Sequence, residues 1–231
     1  RGTRQVPNFD LPVQMASGDN NAFTNNDYTD FYITLPKDNL ETALWLESDR
    51  MEGLDITPEK LETEKRVVIE EFRQRYLNQP YGDQMMLLRD LAYRTHPYRW
   101  ATIGRTPDHI EQATLADVEA FYRRHYHPSN AVLSISADLD EERMLALAEK
   151  WFGPLADRPS AADPVPQELP QREARRREVE RDVPATTVSV AYHMGRRRDP
   201  DFQTADLISD LLAGGDSGRL YNRLVKERQL L

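Results

Sequence analysis

At 231 residues, 39% of them hydrophobic and 30% charged, the chain is long enough to bury a sizeable core in one large domain or in one and a part. It has no cysteine, which excludes disulfides and thiolate metal sites and leaves His, Asp and Glu to hold any metal, but leaves periplasm and cytoplasm equally open. A formal net charge of −9 argues against nucleic acid and weakly favours basic ligands. No apolar run approaches the ~20 residues of a membrane span, and the start lacks the layout of a signal peptide.

The opening residues, RGTRQVPNFDLPVQMASGDN, carry Gly, Pro and Asn punctuation and read as a loop entered from a missing element. Asn21 to Thr24 then form the first arm of an expected hairpin, Asn25, Asn26 and Asp27 its turn, and Tyr28 to Leu35 its second arm, rich in aromatic and β-branched residues. Helices are expected over about 39–54, from Leu40, Leu44, Met51 and Leu54, and over 57–78, followed by another over 83–93. A Pro-rich connection leads into a short helix near 107–112, and Thr114 caps a helix over 115–125. Asn130 to Leu139 alternates like a strand, and Asp140 to Phe152 is an amphipathic helix stopped by Gly153 and Pro154. Periodicity then lapses into Pro, Ala and charge, the best linker candidate. A second strand is expected over 186–194, a helix over 201–213, and the start of another at about Ser217 that stops in mid-pattern. The fold class this implies is α+β, an antiparallel sheet with helices packed on one face, in two similar units in tandem. The boundaries drawn are a first domain over 1–160, a linker over 161–178, and the start of a second domain over 179–231.

The helix over 57–78 carries the carboxylate pair whose spacing suggests chemistry. Glu64 and Glu71 lie two turns apart and leave the helix within ~20° of one direction. Thr57 as cap with Pro58 at the first position gives the helix a well-formed start. Leu61, Val68 and Phe72, with Lys65 between, form the stripe that docks it, and Glu71 sits beside that stripe. From periodicity alone, a solvated charge-laced helix explains these residues as well.

The ordered series RGT, NAFTNNDYTDFYITL, ESDRM, ETEKRVVIEEF, HPYRWATIG, HYHPSNAVLSISADLD and GDSGRLYNRLVKE resembles the pitrilysin/insulinase family of zinc metallopeptidases over nearly the whole chain. The resemblance implies a zinc endopeptidase in which the last Glu of E-x-x-V-x-x-x-E binds the metal. That position is Glu71, and the earlier acid, Glu64, becomes a catalytic-site group that tunes it. Asn21, Ala22, Phe23 and Thr24 match the family's NAxT segment, an edge strand on which an extended peptide adds a strand; an ordinary hairpin arm accounts for the same residue types. The family's H-x-x-E-H motif, which supplies two His ligands and the general base, does not occur in this sequence. Relatives place it immediately before an RGT-like segment, so the expectation is a fragment whose upstream part carries it. One carboxylate is too few for a catalytic zinc, which needs three protein ligands and an open position. The implied partners are a peptide substrate and another subunit of the family, in a homo- or hetero-oligomer, and the chief rival is a non-catalytic scaffold subunit.

Other candidates are weaker. His125 and His127 are two apart without an accompanying acid, His96 suits loop orientation, and His193 falls in an expected strand. The mixed-sign run around Arg172 to Arg181 reads as a solvated linker. Gly214 to Gly218 lacks the Lys-Ser/Thr ending of a phosphate loop. The Arg that relatives use to hold substrate aligns with Val225 here, so no such role is assigned.

Overall fold

The computed structural model describes residues 2–158 and 164–230. Of the expected 161–178 linker, residues 161–163 lie outside the described residues. The chain divides into two compact units, Arg1–Ala185 and Thr186–Leu231.

The first unit begins with a helix where a loop was expected. α1 (Asp10–Met15) buries Val13. Asn8 Oδ1 accepts from the amides of Asp10 and Leu11 at 3.2 and 3.3 Å, satisfying donors of the first turn, and Pro12 is harmless so near the start because no intrahelical N–H is needed there. β1 (Asp19–Thr24) and β2 (Thr29–Thr34) form the expected hairpin, antiparallel in the register Asp19↔Thr34, Ala22↔Phe31, Thr24↔Thr29. Its turn is built by Asn25, whose Oδ1 accepts from Asp27 and Tyr28 amides at 2.8 and 2.9 Å. One hairpin face, through Ile33, joins a core of Val6, Val13 and Leu46 with Phe9 and Trp45.

α2 (Leu40–Glu52) adds Trp45 and Leu46 to that core. Asp49 is buried and accepts from Thr3 Oγ1, which in turn accepts the Val6 amide at 2.9 Å. Gly2 precedes this knot because a Cβ there would lie 2.3 Å from the Pro7 carbonyl oxygen. Arg50, next to Asp49, places its guanidinium 3.6 Å from the Phe31 ring centroid and 5.8 Å from that of Phe9. The Tyr122 hydroxyl shares its proton between the Arg50 and Met51 carbonyls at 2.6 and 3.0 Å, so the end of α2 is held from a later segment as well.

α3 (Pro58–Phe72) starts as expected, with the Lys60 amide 3.3 Å from Thr57 Oγ1, and buries Phe72 to 2% exposure. Its continuation to about residue 78 is not α-helical: Arg73–Leu77 widens to a π-helix, closed by the Asn78 amide on the Arg73 carbonyl at 2.8 Å. Then follow α4 (Gln84–Ala92), α5 (Pro107–Glu111), α6 (Leu115–His125) and α7 (Glu141–Phe152). Thr114 and Asp117 form a reciprocal capping box on α6. α7 lies on α2, where Glu41 pairs with Lys150 and accepts Trp151 Nε1 at 3.1 Å.

The two strands expected over 130–139 and 186–194 do not form. Apart from Asn130, which ends a 3₁₀ turn, both segments lie outside regular structure, and the sheet comprises only β1 and β2 among the described residues. Alternation records which side chains would face a neighbour, but a strand exists only through its ladder. Without one, Val132, Val188 and Tyr192 stand 97%, 85% and 88% exposed. The architecture is therefore mostly helical with a small antiparallel hairpin.

Residues 164–185 run along the first unit mostly exposed, as a charged connection would, but they are fastened to it. Arg175 donates to the Leu91 and Ala92 carbonyls at 2.8 and 3.2 Å, Arg177 lies 3.6 Å from Asp90, and Arg181 2.9 Å from Asp83. The Ala185 amide and carbonyl both meet the Tyr81 hydroxyl, at 3.0 and 2.7 Å. Glu168 accepts the successive amides of Arg94, Thr95 and His96 at 2.8, 2.8 and 3.0 Å. Desolvation opposes the charge on Glu168, but those amides and the Thr95 hydroxyl outweigh it and bring its pKa from 4.5 to about 2.

In the second unit, α8 (Pro200–Ala213) is the expected helix. The chain turns helical again close to Ser217, as expected: after a 3₁₀ turn over Gly215–Ser217 a helix starts at residue 219 and widens to a π-helix over Tyr221–Glu227.

Two outcomes follow from these contacts. Thr3→Val leaves the buried Asp49 without its donor and lowers unfolding free energy by ~1–3 kcal/mol in chemical denaturation, whereas Thr3→Ser stays close to wild type. Because the folded pKa of Glu168 is depressed, its contribution is complete above about pH 4.5 and is lost as pH falls toward 2. Limited proteolysis with an acid-active protease should cut within 164–185 faster at pH 3 than at pH 5, and Glu168→Gln should flatten that difference.

Candidate functional site

Glu64 and Glu71 both lie on α3, two turns apart. Glu71 sits beside buried Phe72, its side chain 42% exposed and paired with Arg75 Nη2 at 3.1 Å. The helix widens to its π segment immediately after Phe72, and Tyr76 in that segment packs its ring 5.2 Å from that of Phe72. A π turn adds a residue to the helical repeat and often marks a functional position. Nothing in the residue pattern announced it. Glu64 is exposed on the same helix and engaged by a neighbouring group.

Asn21 to Thr24 occupy β1, as expected. The Asn25 amide bonds to the Tyr28 carbonyl at 3.0 Å, and alternation along an antiparallel ladder then makes Phe23/Asp30 and Asn21/Tyr32 the hydrogen-bonded pairs. The backbone groups of Ala22 and Thr24 therefore point to the outer edge of β1, where no further strand pairs among the described residues. The Thr24 and Thr29 hydroxyls, 3.0 Å apart, fit the closer, non-hydrogen-bonded spacing. Asn21 Oδ1 accepts the Ala22 amide at 2.8 Å, which occupies an edge donor that would otherwise invite pairing. Phe23 and Tyr32, on the face opposite Ile33, are substantially exposed, and Phe23 meets Tyr28 edge to face at 5.9 Å.

The tip of this hairpin is held by residues that were not expected to matter. Arg89 on α4 donates to Asn26 Oδ1 at 3.0 Å and to the Trp100 carbonyl at 3.3 Å. The Tyr98 hydroxyl makes a short hydrogen bond to Asp27 Oδ1. That bond, with desolvation and the Asp27 charge behind it, raises the Tyr98 pKa above the usual phenol value. The only sequence signal was the HPYRW stretch itself.

Three histidines are held by neighbouring groups. His127 is 2% exposed, with Nε2 3.0 Å from the Arg124 carbonyl and Nδ1 3.1 Å from Ser129 Oγ, so both ring nitrogens are engaged. The His125 ring packs at a tilt against that of Phe121, centroids 4.4 Å apart. His96 Nδ1 accepts the Tyr98 amide at 3.2 Å and orients its loop, as expected. Among the described residues, no three His, Cys, Asp or Glu side chains cluster to hold a metal ion. Glu71 can supply one carboxylate, and a catalytic zinc requires three protein ligands, so these residues do not by themselves complete a zinc site. No helix among the described residues is long and apolar enough to cross a membrane.

Residues 112–231, just over half of the chain, match the family described as "Peptidase M16 inactive domain". The chain is 32% identical over 225 residues to the zinc protease PqqE of Helicobacter pylori, covering 96% of the chain and 50% of that protein. It is 26% identical over 227 residues to a probable mitochondrial-processing peptidase subunit beta of Schizosaccharomyces pombe, covering 91% of the chain and 48% of the other. The crystal structure of a protease from Helicobacter pylori superposes with a TM-score of 0.85 at 30% identity, over 97% of this chain and 55% of that one. A peptidase M16 inactive domain from Pseudomonas fluorescens superposes at 0.73 over 95% of this chain and 53% of that one, and at 21% identity it speaks for the fold alone. The chain thus spans about half the length of the curated relatives it matches. It belongs to the pitrilysin/insulinase family of peptidases, the M16 family.

Proposed function

We propose that this chain supplies one carboxylate ligand and the peptide-pairing edge of a zinc-dependent endopeptidase. The observation that carries the reading is the outward-facing backbone of Ala22 and Thr24 on an edge strand, in a chain whose relatives are named zinc proteases. An extended peptide adding to that edge bonds through its main chain, which is indifferent to side chains and suits a broad range of peptides or unfolded segments. Asn21 would release the Ala22 amide as the peptide arrives, exchanging one hydrogen bond for another. Glu71, beside the π turn, is the proposed ligand, and Glu64 the outer carboxylate that tunes the site. The two His ligands and the proton-transferring Glu would come from outside the described residues, and no reaction step is assigned to the residues described. The reading extends to a second, structurally similar unit in tandem, and to peptide substrates enclosed with the help of a homologous subunit.

A second reading has its own support. The match to the inactive-domain family begins at Gln112, beyond α3, so the segment that carries it includes neither Glu64 nor Glu71. In that reading the protein is a non-catalytic partner of an active peptidase.

Zinc content separates the two. In the intact protein, Glu71→Gln should lower bound zinc from about one equivalent per chain toward none, measured by elemental analysis after dialysis. Glu64→Gln should retain zinc but weaken it roughly 10–100-fold. An intact wild-type protein that binds no zinc, or a Glu71→Gln protein that holds it as tightly as wild type, replaces the first reading with the second.

A further inference from the structure

The fastened segment after α7 is linked to the tip of the β1–β2 hairpin through one short loop. Glu168 Oε1 accepts the Arg94 amide, and Oε2 accepts those of Thr95 and His96 together with the Thr95 hydroxyl at 3.0 Å. Three consecutive amides turned toward one carboxylate make a nest, a backbone concavity that favours an anion. Arg94, Arg172 and Arg175 line the hollow around it and add positive charge. The nest ends at His96, whose ring centroid lies 4.3 Å from that of Tyr98 and whose Nδ1 accepts the Tyr98 amide. Tyr93 closes the cluster, 5.7 Å from His96 and 5.8 Å from Tyr98. The Tyr98 hydroxyl then grips Asp27 at the tip of the β1–β2 hairpin. The contacts form one contiguous path from Glu168 to the hairpin turn, about 140 positions earlier in the chain.

Resting on the reading of β1 as the peptide edge, we propose that Glu168 is a positioning residue. By clasping the 94–96 nest it sets the loop that carries Tyr98, and through Tyr98 it fixes where the hairpin edge stands. The segment leading to the second unit thereby governs the peptide-pairing strand without touching it. A carboxylate is required because every group facing it is a donor. Glutamine, of the same shape, would turn an amide donor toward one end of the nest and give up the charge-assisted bonds.

The test is amide hydrogen exchange on the intact protein, without zinc or peptide, so that it stands apart from the peptidase reading. Leu46 in α2 serves as the internal reference. Glu168→Gln should speed exchange at Thr95 and His96 roughly tenfold or more, the loss expected of charged hydrogen bonds, and should also speed Asp27 and Tyr28, whose amides rest on Asn25. Tyr98→Phe should speed Asp27 and Tyr28 while leaving Thr95 and His96 as they are. The double variant should free the tip no more than Tyr98→Phe alone, because both act through one contact. Glu173→Gln, on the same segment, should change neither group. Faster exchange at the nest with an unchanged tip overturns the proposal, as does an additive double variant or a uniform acceleration that includes Leu46. Should the exchange pattern hold while the intact protein binds no peptide, the relay stands and the peptidase reading fails.

Discussion

Asp49 and Arg50 are neighbours on α2, and much of the first unit is arranged to accommodate both. A buried carboxylate without a donor costs more than most single contacts return, so Thr3 must be brought to Asp49, and the RGT segment folds back to deliver it. Gly2 is the residue that permits the tight return, since the Pro7 carbonyl occupies the place of a Cβ. Arg50 has the opposite need. Its guanidinium is covered by the faces of Phe31 and Phe9 and tied to Glu47, which places β2 over the end of α2. Tyr122 then takes up the Arg50 and Met51 carbonyls left over at the helix end. The ESDRM stretch thus acts as a structural knot: it fixes one face of the hairpin and leaves the outer edge of β1 without a further strand among the described residues.

An edge strand is a hazard that proteins blunt with side chains, and here the blunting rests on a single side-chain hydrogen bond. Asn21 covers the Ala22 amide, while Thr24 meets Thr29 across the pair. A strand that is fixed from behind by Arg50, held at its tip by Arg89 and Tyr98, and lightly covered at its edge is suited to accept an extended peptide without refolding. Rigid support lowers the ordering cost of association, so that the main-chain hydrogen bonds of strand addition are less offset by it.

Much of this was readable in the residues. The hairpin, its Asn-rich turn, the Thr57–Pro58 start and the Thr114 cap are local chemistry, in which each residue acts on backbone groups within a few positions. Long-range partners were not readable. The alternation over 130–139 and 186–194 describes two strands correctly in pattern, yet a pattern cannot supply the ladder that makes a strand. The charged run around Arg175 suggested solvent for the same reason: periodicity cannot show that the carbonyls ending α4 would need its guanidinium. α1 was hidden by Pro12 and the surrounding punctuation, which are breakers inside a helix but not in its first turn. At the candidate site, the shared face of Glu64 and Glu71 followed from the helical repeat, whereas the π turn beside Glu71 and the grip of Tyr98 on Asp27 depend on tertiary packing.

The most direct measurement of the central claim is a crystal structure of the intact, zinc-loaded protein with a non-cleavable extended peptide. The account predicts that the peptide main chain bonds to the amides and carbonyls of Ala22 and Thr24, with the Asn21 side chain withdrawn, and that a Glu71 oxygen lies on the zinc. A peptide bound elsewhere with the β1 edge still covered by Asn21, or a zinc held without Glu71, would contradict it.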